Sequence, residues 1–237
     1  MEKLLEFKNV RITLKNRVLF ENISFIFHEG ERLMLSGENG SGKSLLLELI
    51  ALGMSKDLCE RYSGLEVTGE ILDANGNDLL DPETGRKVAY VAQSEETYKN
   101  STLVKQAEIA ANGVGIDLDE DKLDYLLDRF GLSEKKNQKL KNNLSFGQGK
   151  LVHIITRLLK LPATNLLVLD EPLNHLSFKN SKVLNDIMLE EIKNNPKLSI
   201  IMVSHCNAIS FVNQKMVYDY DTNRMVKKQY HSYDCFE

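Results

Sequence analysis

GENGSGKS, at residues 37–44, is the stretch that decides how this sequence folds. The apolar segment before it, residues 32–36, predicts a buried strand, and the leucine-rich segment after it, residues 45–50, predicts a helix. A glycine-rich loop between a strand and a helix binds phosphate, because its backbone N–H groups and the positive end of the helix dipole both face the anion. The alternative is a glycine-rich turn that happens to precede Lys-Ser.

Two side chains at the end of this loop add chemistry to the phosphate cradle. The Lys43 ammonium can reach the β- and γ-phosphates of a nucleoside triphosphate, and the Ser44 hydroxyl can bind Mg²⁺. The sequence therefore predicts a nucleotide site with Mg²⁺ as its metal. The predicted nucleotide-binding residues of the loop are Gly37, Asn39, Gly40, Ser41, Gly42, Lys43, Ser44 and Leu45.

Composition restricts the classes of function that are open. The chain has 237 residues and a formal net charge of −4, which does not favour a general nucleic-acid-binding protein. Its three cysteines have no metal-ligand spacing, so we expect neither a disulfide framework nor a zinc site, as in a reducing cytosol. The sequence shows no signal peptide and no apolar run long enough to span a bilayer. Any membrane role is expected to come through a partner chain.

The hydrophobic patterns predict an α/β protein with a mostly parallel sheet. Continuous apolar runs predict buried strands, and period-two alternation predicts a half-buried strand at residues 23–27. Further strands are predicted at 4–10, 18–20, 66–72, 88–92, 165–170 and 198–203; helices within 101–131, at 144–161 and at 179–194; and a hairpin around residues 221–223. We expect one domain with an inserted helical segment rather than two tandem domains.

An acidic pair follows the apolar run at residues 165–170. Asp170 ends that predicted strand, and Glu171 comes next. In a phosphate-loop protein, an acid at this position holds Mg²⁺, usually through water. Glu171 can orient or deprotonate an attacking water. The alternative role for the pair is a helix N-cap and its neighbour.

Several motifs occur in the order found in one family, and together they cover nearly the whole chain. The sequence resembles the ABC-type (ATP-binding cassette) ATPases. The resemblance implies a P-loop NTPase core (about 1–93 and 162–237), an N-terminal antiparallel β subdomain and an inserted α-helical subdomain (about 94–161) in a single domain, 1–237. The motifs are residues 37–44, Gln93, LSFGQ at 144–148, the pair Asp170 and Glu171, and His205.

The resemblance also implies a role for each of these residues. Gln93 would contact Mg²⁺ or the attacking water, and His205 would donate to the γ-phosphate. Ser145, Gly147 and Gln148 would bind ATP held by another ABC subunit, in a head-to-tail homodimer or heterodimer. Read without the family, Ser145 is an ordinary helix N-cap, and Gln93 and His205 are surface residues at strand ends. The implied catalytic residues are Lys43, Gln93, Glu171 and His205, and the implied metal ligands are Ser44, Gln93 and Asp170.

The sequence departs from the family pattern at four positions. Phe146 replaces the first of two glycines after the signature serine, and Leu14 stands where an aromatic residue stacks on adenine. Ser177 replaces an aspartate that ends the loop after Glu171, and Leu45 replaces a frequent threonine. Base selectivity and communication between the two sites of a dimer are therefore in question, whereas we expect ATP hydrolysis to be retained.

The resemblance leaves two classes of function open. In the first, the chain is the ATPase subunit of an ABC transporter, on the inner face of the cell membrane, and contacts a separately encoded integral membrane subunit through Gln93 and residues 94–102. In the second, it is a non-transporter ABC ATPase. Residues 174–176 (NHL) resemble the ABC-F translation factors, and residues 65–70 (LEVTGE) faintly resemble the iron–sulfur-assembly ATPase. The first is preferred because single-domain members of the family most often serve transporters.

Overall fold

The computed structural model describes residues 2–85, 87–93, 101–140, 144–205, 209–219, 222 and 224–230. Within these residues the strands form two sheets, one of three strands and one of six. This arrangement confirms the predicted α/β class with an antiparallel N-terminal sheet and a mostly parallel main sheet.

The three-stranded sheet is built on a long hairpin. Strands β1 (Lys3–Leu14) and β2 (Arg17–His28) are joined by a two-residue turn in which Lys15 and Asn16 both have positive φ, the conformation that type I′ hairpins require. Strand β4 (Leu65–Asp73) pairs with the other edge of β1. The sequence predicted residues 18–20 and 23–27 as separate strands. They form one strand because the polar break between them is absorbed as an irregularity in register, with Asn22 at positive φ.

The six-stranded sheet carries the phosphate loop at the carboxyl end of an inner strand, β3. Its order is β5, β6, β7, β3, β8, β9, with neighbours parallel except for the antiparallel pair of β8 and β9. The carboxyl ends of the parallel strands therefore meet along one edge, where α/β proteins bind ligands. The strands are β3 (Arg32–Ser36), β5 (Val88–Val91), β6 (Leu166–Asp170), β7 (Ser199–Val203), β8 (Gln214–Asp219) and β9 (Arg224–Gln229).

Six α-helices occur in the described residues. Three of them, α3, α4 and α5, lie between β5 and β6 in the chain, where the helical insertion was predicted. The division at 93/94 and 161/162 stays a prediction. Their bounds are α1 (Lys43–Leu52), α2 (Lys56–Arg61), α3 (Leu103–Asn112), α4 (Glu120–Arg129), α5 (Phe146–Leu158) and α6 (Phe178–Asn194).

Two helices differ from the predictions. The helix expected to reach residue 161 ends at Leu158, and a short 3₁₀ turn (Leu161–Ala163) that contains Pro162 follows it. Helix α2 was not predicted. Ser55 caps it by accepting from the Leu58 backbone N–H at 3.3 Å, and Asp57 lies in its first turn. Strands β8 and β9 pair as the predicted hairpin requires, although its loop at 221–223 lies partly outside the described residues. Cys206 and Cys235 lie outside the described residues.

The main sheet is buried on both faces. Along β6, Leu167 and Leu169 join an apolar cluster with helices α3 to α6, whereas Leu166 and Val168 join a second cluster with α1 and the N-terminal sheet. This alternation follows from the two-residue period of a strand. Burial on both faces explains why every residue of β6 before Asp170, its last residue, is apolar. None of the helices in the described part of the chain has the length and apolar composition needed to cross a membrane.

Candidate active site

The loop between β3 and α1 depends on one glycine more than on the others. Gly42 caps α1 with φ +94°, a left-handed conformation that other residues avoid. A Cβ atom on Gly42 would lie 2.9 Å from Cε2 of Phe20 and 3.1 Å from Cδ1 of Leu19. Gly40 also has positive φ, but a Cβ there would meet no atom within 4 Å. The loop therefore packs against β2 at Gly42 and is open at Gly40.

This difference gives a matched pair of variants. We expect Gly42→Ala to weaken ATP binding at least about tenfold, since both the backbone conformation and the contact with Phe20 must change. Gly40→Ala carries only the conformational strain, so we expect its loss of ATP affinity to be clearly smaller than that of Gly42→Ala. Isothermal titration of each variant with ATP is the measurement. Equal losses of affinity in the two variants would show that the Phe20 contact is unimportant.

Lys43 holds the loop in its curved form. Its Nζ donates to the backbone oxygens of Gly37 at 2.9 Å and Glu38 at 2.7 Å, and it lies 3.5 Å from Oγ of Ser41. Burial lowers the pKa of Lys43, and the negative charges of Glu171 and Asp170 oppose that shift. The ammonium is therefore held at the mouth of the loop, within the field of two carboxylates.

Ser44 and Asp170 meet across the edge of the sheet. Oγ of Ser44 donates to Oδ1 of Asp170 at 3.1 Å, and Asp170 is 1% exposed. Burial raises the pKa of Asp170, the hydrogen bond from Ser44 lowers it, and the charge of Glu171 raises it further. The residues predicted to bind metal from two distant parts of the chain are thus in direct contact.

Glu171 is held with one carboxylate oxygen unsatisfied. It is 3% exposed and has φ +46°, an unusual conformation for a non-glycine residue. Its Oε2 accepts from the His205 backbone N–H at 3.2 Å. Its Oε1 lies 3.2 Å from Nε2 of His205 but has no partner of hydrogen-bond geometry among the described residues. A buried oxygen in this state is ready to accept a hydrogen bond from water or ligand.

One pocket collects most of the predicted site residues. Its volume is about 460 Å³, within the usual range for small-molecule sites. Gly37, Ser41 and Asp170 do not line it, but Gly37 and Ser41 contact Lys43, and Asp170 contacts Ser44. The predicted residues that line the pocket itself are Asn39, Gly40, Gly42, Lys43, Ser44, Leu45, Gln93, Glu171 and His205.

The signature residues do not line this pocket. Ser145 caps α5 in a reciprocal capping box, in which Gln148 N–H donates to Oγ of Ser145 at 3.3 Å and Ser145 N–H donates to Oε1 of Gln148 at 3.0 Å. A Cβ on Gly147 would lie 2.5 Å from the backbone oxygen of His175. The signature helix therefore begins directly against the loop that follows Glu171.

The departures from the family pattern have visible structural consequences. Phe146 is 70% exposed, and its ring makes an edge-on contact with His175, with 4.6 Å between ring centroids. Ser177 caps α6 by accepting from Asn180 N–H at 3.2 Å, so a capping function is kept in the absence of an aspartate. Leu14 does line the pocket, at the end formed by the β1–β2 hairpin.

Sequence reasoning missed four residues of the pocket wall, the apolar Leu19 and Val203 and the polar Arg17 and Tyr62. Tyr62 ends helix α2, and burial, followed by the charge of Glu48, raises its pKa to about 12. Glu48, one turn after Ser44 in α1, is held by Arg61 at 2.5 Å. The cap at Ser55 could have revealed α2, but no local signal places its end against a pocket formed by distant strands.

The donor set of this site suits Mg²⁺ and a nucleotide. A serine hydroxyl and a carboxylate are the hard oxygen ligands that Mg²⁺ prefers, and Mg²⁺ usually completes its shell with water and phosphate oxygens rather than protein groups. Accordingly, the described residues contain no cluster of three or more His, Cys, Asp or Glu side chains able to hold a metal. Glu171, whose buried Oε1 is unsatisfied, lines the same pocket. The residues present therefore fit a magnesium–nucleotide complex.

The fold and the site together define a P-loop ATPase, and comparison with known proteins identifies its family. A family model described as "ABC transporter" matches residues 20–174. The chain is 31% identical over 207 residues to the "Ergothioneine transport ATP-binding protein EgtV" of Helicobacter pylori (strain G27), with 86% of this chain and 91% of that protein covered. It is 27% identical over 236 residues to the "Zinc uptake system ATP-binding protein ZurA" of Listeria innocua, with coverages of 92% and 86%.

A solved structure gives the same result. The ATP-binding subunit of an ABC transporter superposes with a TM-score of 0.78 at 25% identity, over 95% of this chain and 90% of that one. The chain therefore belongs to the ABC transporter family. It is an ABC-type ATPase that binds and hydrolyses ATP to power transport. These relatives favour the transporter assignment over the non-transporter alternative.

Proposed function

We propose that ATP–Mg²⁺ binds in the 460 Å³ pocket, with Lys43 on the phosphates and Ser44 and Asp170 at the metal. The observation that carries this proposal is the contact between Ser44 and Asp170, next in sequence to Glu171, whose buried Oε1 has no hydrogen-bond partner among the described residues. When bound, Mg²⁺ would neutralise the phosphate charge. Gln93, which is exposed and lines the pocket, is placed to contact the metal or the water.

We propose that Glu171 acts on the attacking water and that His205 acts on the γ-phosphate. The unsatisfied Oε1 of Glu171 accepts a hydrogen bond from that water and either orients it or takes its proton. The backbone N–H of His205 fixes the other oxygen, so the carboxylate cannot rotate freely. The His205 side chain is 61% exposed, with Nε2 3.2 Å from Oε1 of Glu171, and its ring can donate to the γ-phosphate.

We further propose that the active form is a dimer, with a second copy or a related ABC subunit. Ser145, Gly147 and Gln148 do not line the pocket of their own chain, which supports a role towards the nucleotide of a partner. The start of α5 is a helix N-terminus, where the positive end of the helix dipole favours anions. Its contact with the loop after Glu171 gives a short physical connection between the two sites of such a dimer.

The proposed membrane partner is a separately encoded integral membrane subunit, which would hold this chain at the cytoplasmic face of the membrane. The named relatives are ATP-binding proteins of transport or uptake systems, and this supports the proposal. Of the predicted contact segment, Gln93 and residues 101–102 are described, whereas residues 94–100 lie outside the described residues. Ergothioneine and zinc are chemically unrelated, so these relatives suggest no substrate, and we propose no nucleic-acid partner.

The proposed function is tested by two measurements on the full chain. We expect ATP hydrolysis that depends on Mg²⁺ and stops when EDTA is added. EDTA removes the ion that Ser44 and Asp170 would hold, and the phosphate charge is then no longer neutralised. We also expect a multi-span membrane protein to co-purify with the chain from detergent-solubilised membranes. Co-purification with ribosomes or iron–sulfur-assembly proteins alone would instead favour a non-transporter ATPase.

A further inference from the structure

A buried lysine lies directly behind the site. Lys150, in α5, is 6% exposed, and its Nζ reaches the backbone oxygens of Ala92 at 2.6 Å, Gln93 at 3.3 Å and Asp170 at 3.5 Å. Lysine is rarely buried this far, because taking an ammonium group from water is costly unless acceptors replace the lost hydration. Here backbone oxygens supply that replacement.

The three acceptors belong to the ends of two neighbouring strands. Ala92 and Gln93 follow β5, and Asp170 ends β6, its parallel neighbour. These strand ends carry the Gln93 side chain and the Asp170 carboxylate, and Glu171 comes next. One ammonium group therefore joins the backbone at the points from which three site residues extend.

The same lysine links these strand ends to the signature helix. Lys150 is separated by little more than one helical turn from the cap at Ser145, and its helix begins against the loop after Glu171. The positive charge of Lys150 also acts on the Asp170 carboxylate, whose pKa it lowers against the effect of burial. Lys150 therefore affects Asp170, the predicted metal ligand, both by its position and by its charge.

We propose that Lys150 is a positioning residue for ATP hydrolysis, which fixes the ends of β5 and β6 relative to the start of α5 and so sets the placement of Gln93, Asp170 and Glu171. This inference rests on the proposed function of the site. Lys150 itself does not line the pocket and touches neither nucleotide nor water in this role. Substitution of Lys150 is expected to lower turnover because Gln93, Asp170 and Glu171 are then misplaced. A displacement of a catalytic group by about 1 Å can lower the rate about 100-fold.

The chain offers a matched control on the same helix. Arg157 also donates from α5 to a backbone oxygen of the β5 region, from Nε to Tyr90 at 2.7 Å. Tyr90 lies within β5, before the strand end that carries Gln93. Arg157 also donates to Oγ1 of Thr156 at 3.0 Å, and it does not line the pocket. Arg157→Met therefore removes a bond of the same type between the same two elements, at a point before the strand end that carries Gln93.

The experiment compares Lys150→Met, Lys150→Arg and Arg157→Met with the wild-type full chain. Each is measured for Tm, kcat and KM with MgATP, ATP affinity in EDTA, and the Mg²⁺ concentration that restores tight nucleotide binding. For Lys150→Met we expect kcat to fall about 10- to 100-fold and the required Mg²⁺ to rise, with ATP affinity in EDTA within about threefold of wild type. Lys150→Arg should recover part of kcat, because it keeps the charge and the donors. Arg157→Met should lower Tm and leave kcat within about threefold.

A purely structural role for Lys150 predicts a different pattern. In that case Lys150→Met and Arg157→Met would lower activity in proportion to their loss of Tm, and ATP affinities with and without Mg²⁺ would fall together. Either result, or a Lys150→Met enzyme with wild-type kcat, would overturn the inference. A wild-type chain without Mg²⁺-dependent hydrolysis would instead contradict the proposed function, and the nucleotide-binding comparison would still test Lys150.

Discussion

Glu171→Gln is expected to lower ATP turnover by about 10²- to 10⁴-fold, the usual contribution of a positioned general base. Glutamine keeps the size of the side chain and one carbonyl oxygen, so it can still accept the His205 backbone N–H that now reaches Oε2 at 3.2 Å. What it loses is the second, unsatisfied carboxylate oxygen and the negative charge. We therefore expect ATP binding to be kept and an ATP-bound dimer to accumulate.

The fold should tolerate this change. A buried carboxylate with an oxygen that lacks a hydrogen-bond partner is costly, and a neutral amide reduces that cost. The charge of Glu171 also raises the pKa of Asp170, so its removal relieves repulsion between two adjacent acids. The expected Tm of Glu171→Gln is equal to or above that of the wild type, measured by thermal unfolding without nucleotide.

Glu31→Gln supplies the control for burial. Glu31 is 8% exposed and binds Nζ of Lys227 through both oxygens, at 2.7 and 2.8 Å, before β3 begins and thus away from the phosphate-loop end of that strand. This variant should lose stability yet retain turnover per folded molecule. If Glu171→Gln hydrolyses ATP at the wild-type rate, the assignment of Glu171 as the group acting on water is wrong. If both variants lose turnover per folded molecule to the same extent, loss of a buried charge rather than of a group acting on water explains the effect.

The parts of the site that sequence predicts well are those encoded by neighbouring residues. The loop at 37–44 needs only its own glycines and the flanking strand and helix, and Asp170 marks the end of an apolar run whatever its partners are. The parallel sheet then follows from physics, since buried apolar strands separated by helices pair in this way. That pairing brings Asp170 to Ser44, although 126 positions separate them in the chain.

The parts that sequence does not predict depend on how separate elements pack. From sequence alone, Lys150 is most simply interpreted as a solvated charge on a helix. It lies four residues before the buried Ile154 and therefore on the same helix face. That spacing indicates burial only once β5 and β6 are known to lie against this face. Tyr62 reaches the pocket because β4 pairs with β1, which brings the chain before Leu65 next to the hairpin turn at Lys15. Neither register nor packing of this kind is encoded locally.

Lys43→Met is expected to weaken ATP binding by about 10²- to 10⁴-fold. Hydrogen bonds to a charged group contribute about 1.5–3 kcal/mol each, and two such bonds from Nζ to phosphate oxygens account for about 3–6 kcal/mol. In the structure, the Lys43 ammonium donates to the carbonyls of Gly37 and Glu38 at an exposed position, where water can replace it. The loss of stability should therefore stay below about 1 kcal/mol, which separates a binding defect from unfolding.

Two further variants decide whether charge or geometry is responsible for that loss. Lys43→Arg keeps the positive charge, but its planar guanidinium cannot replace a compact ammonium held between two carbonyls, so we expect ATP affinity to remain much reduced. Lys105→Met removes an exposed charge paired with Glu108 in α3, and we expect it to bind ATP like the wild type. Titration calorimetry with ATP at constant ionic strength measures all three. Wild-type affinity in Lys43→Arg would mean that long-range charge suffices, and wild-type affinity in Lys43→Met would remove Lys43 from the site altogether.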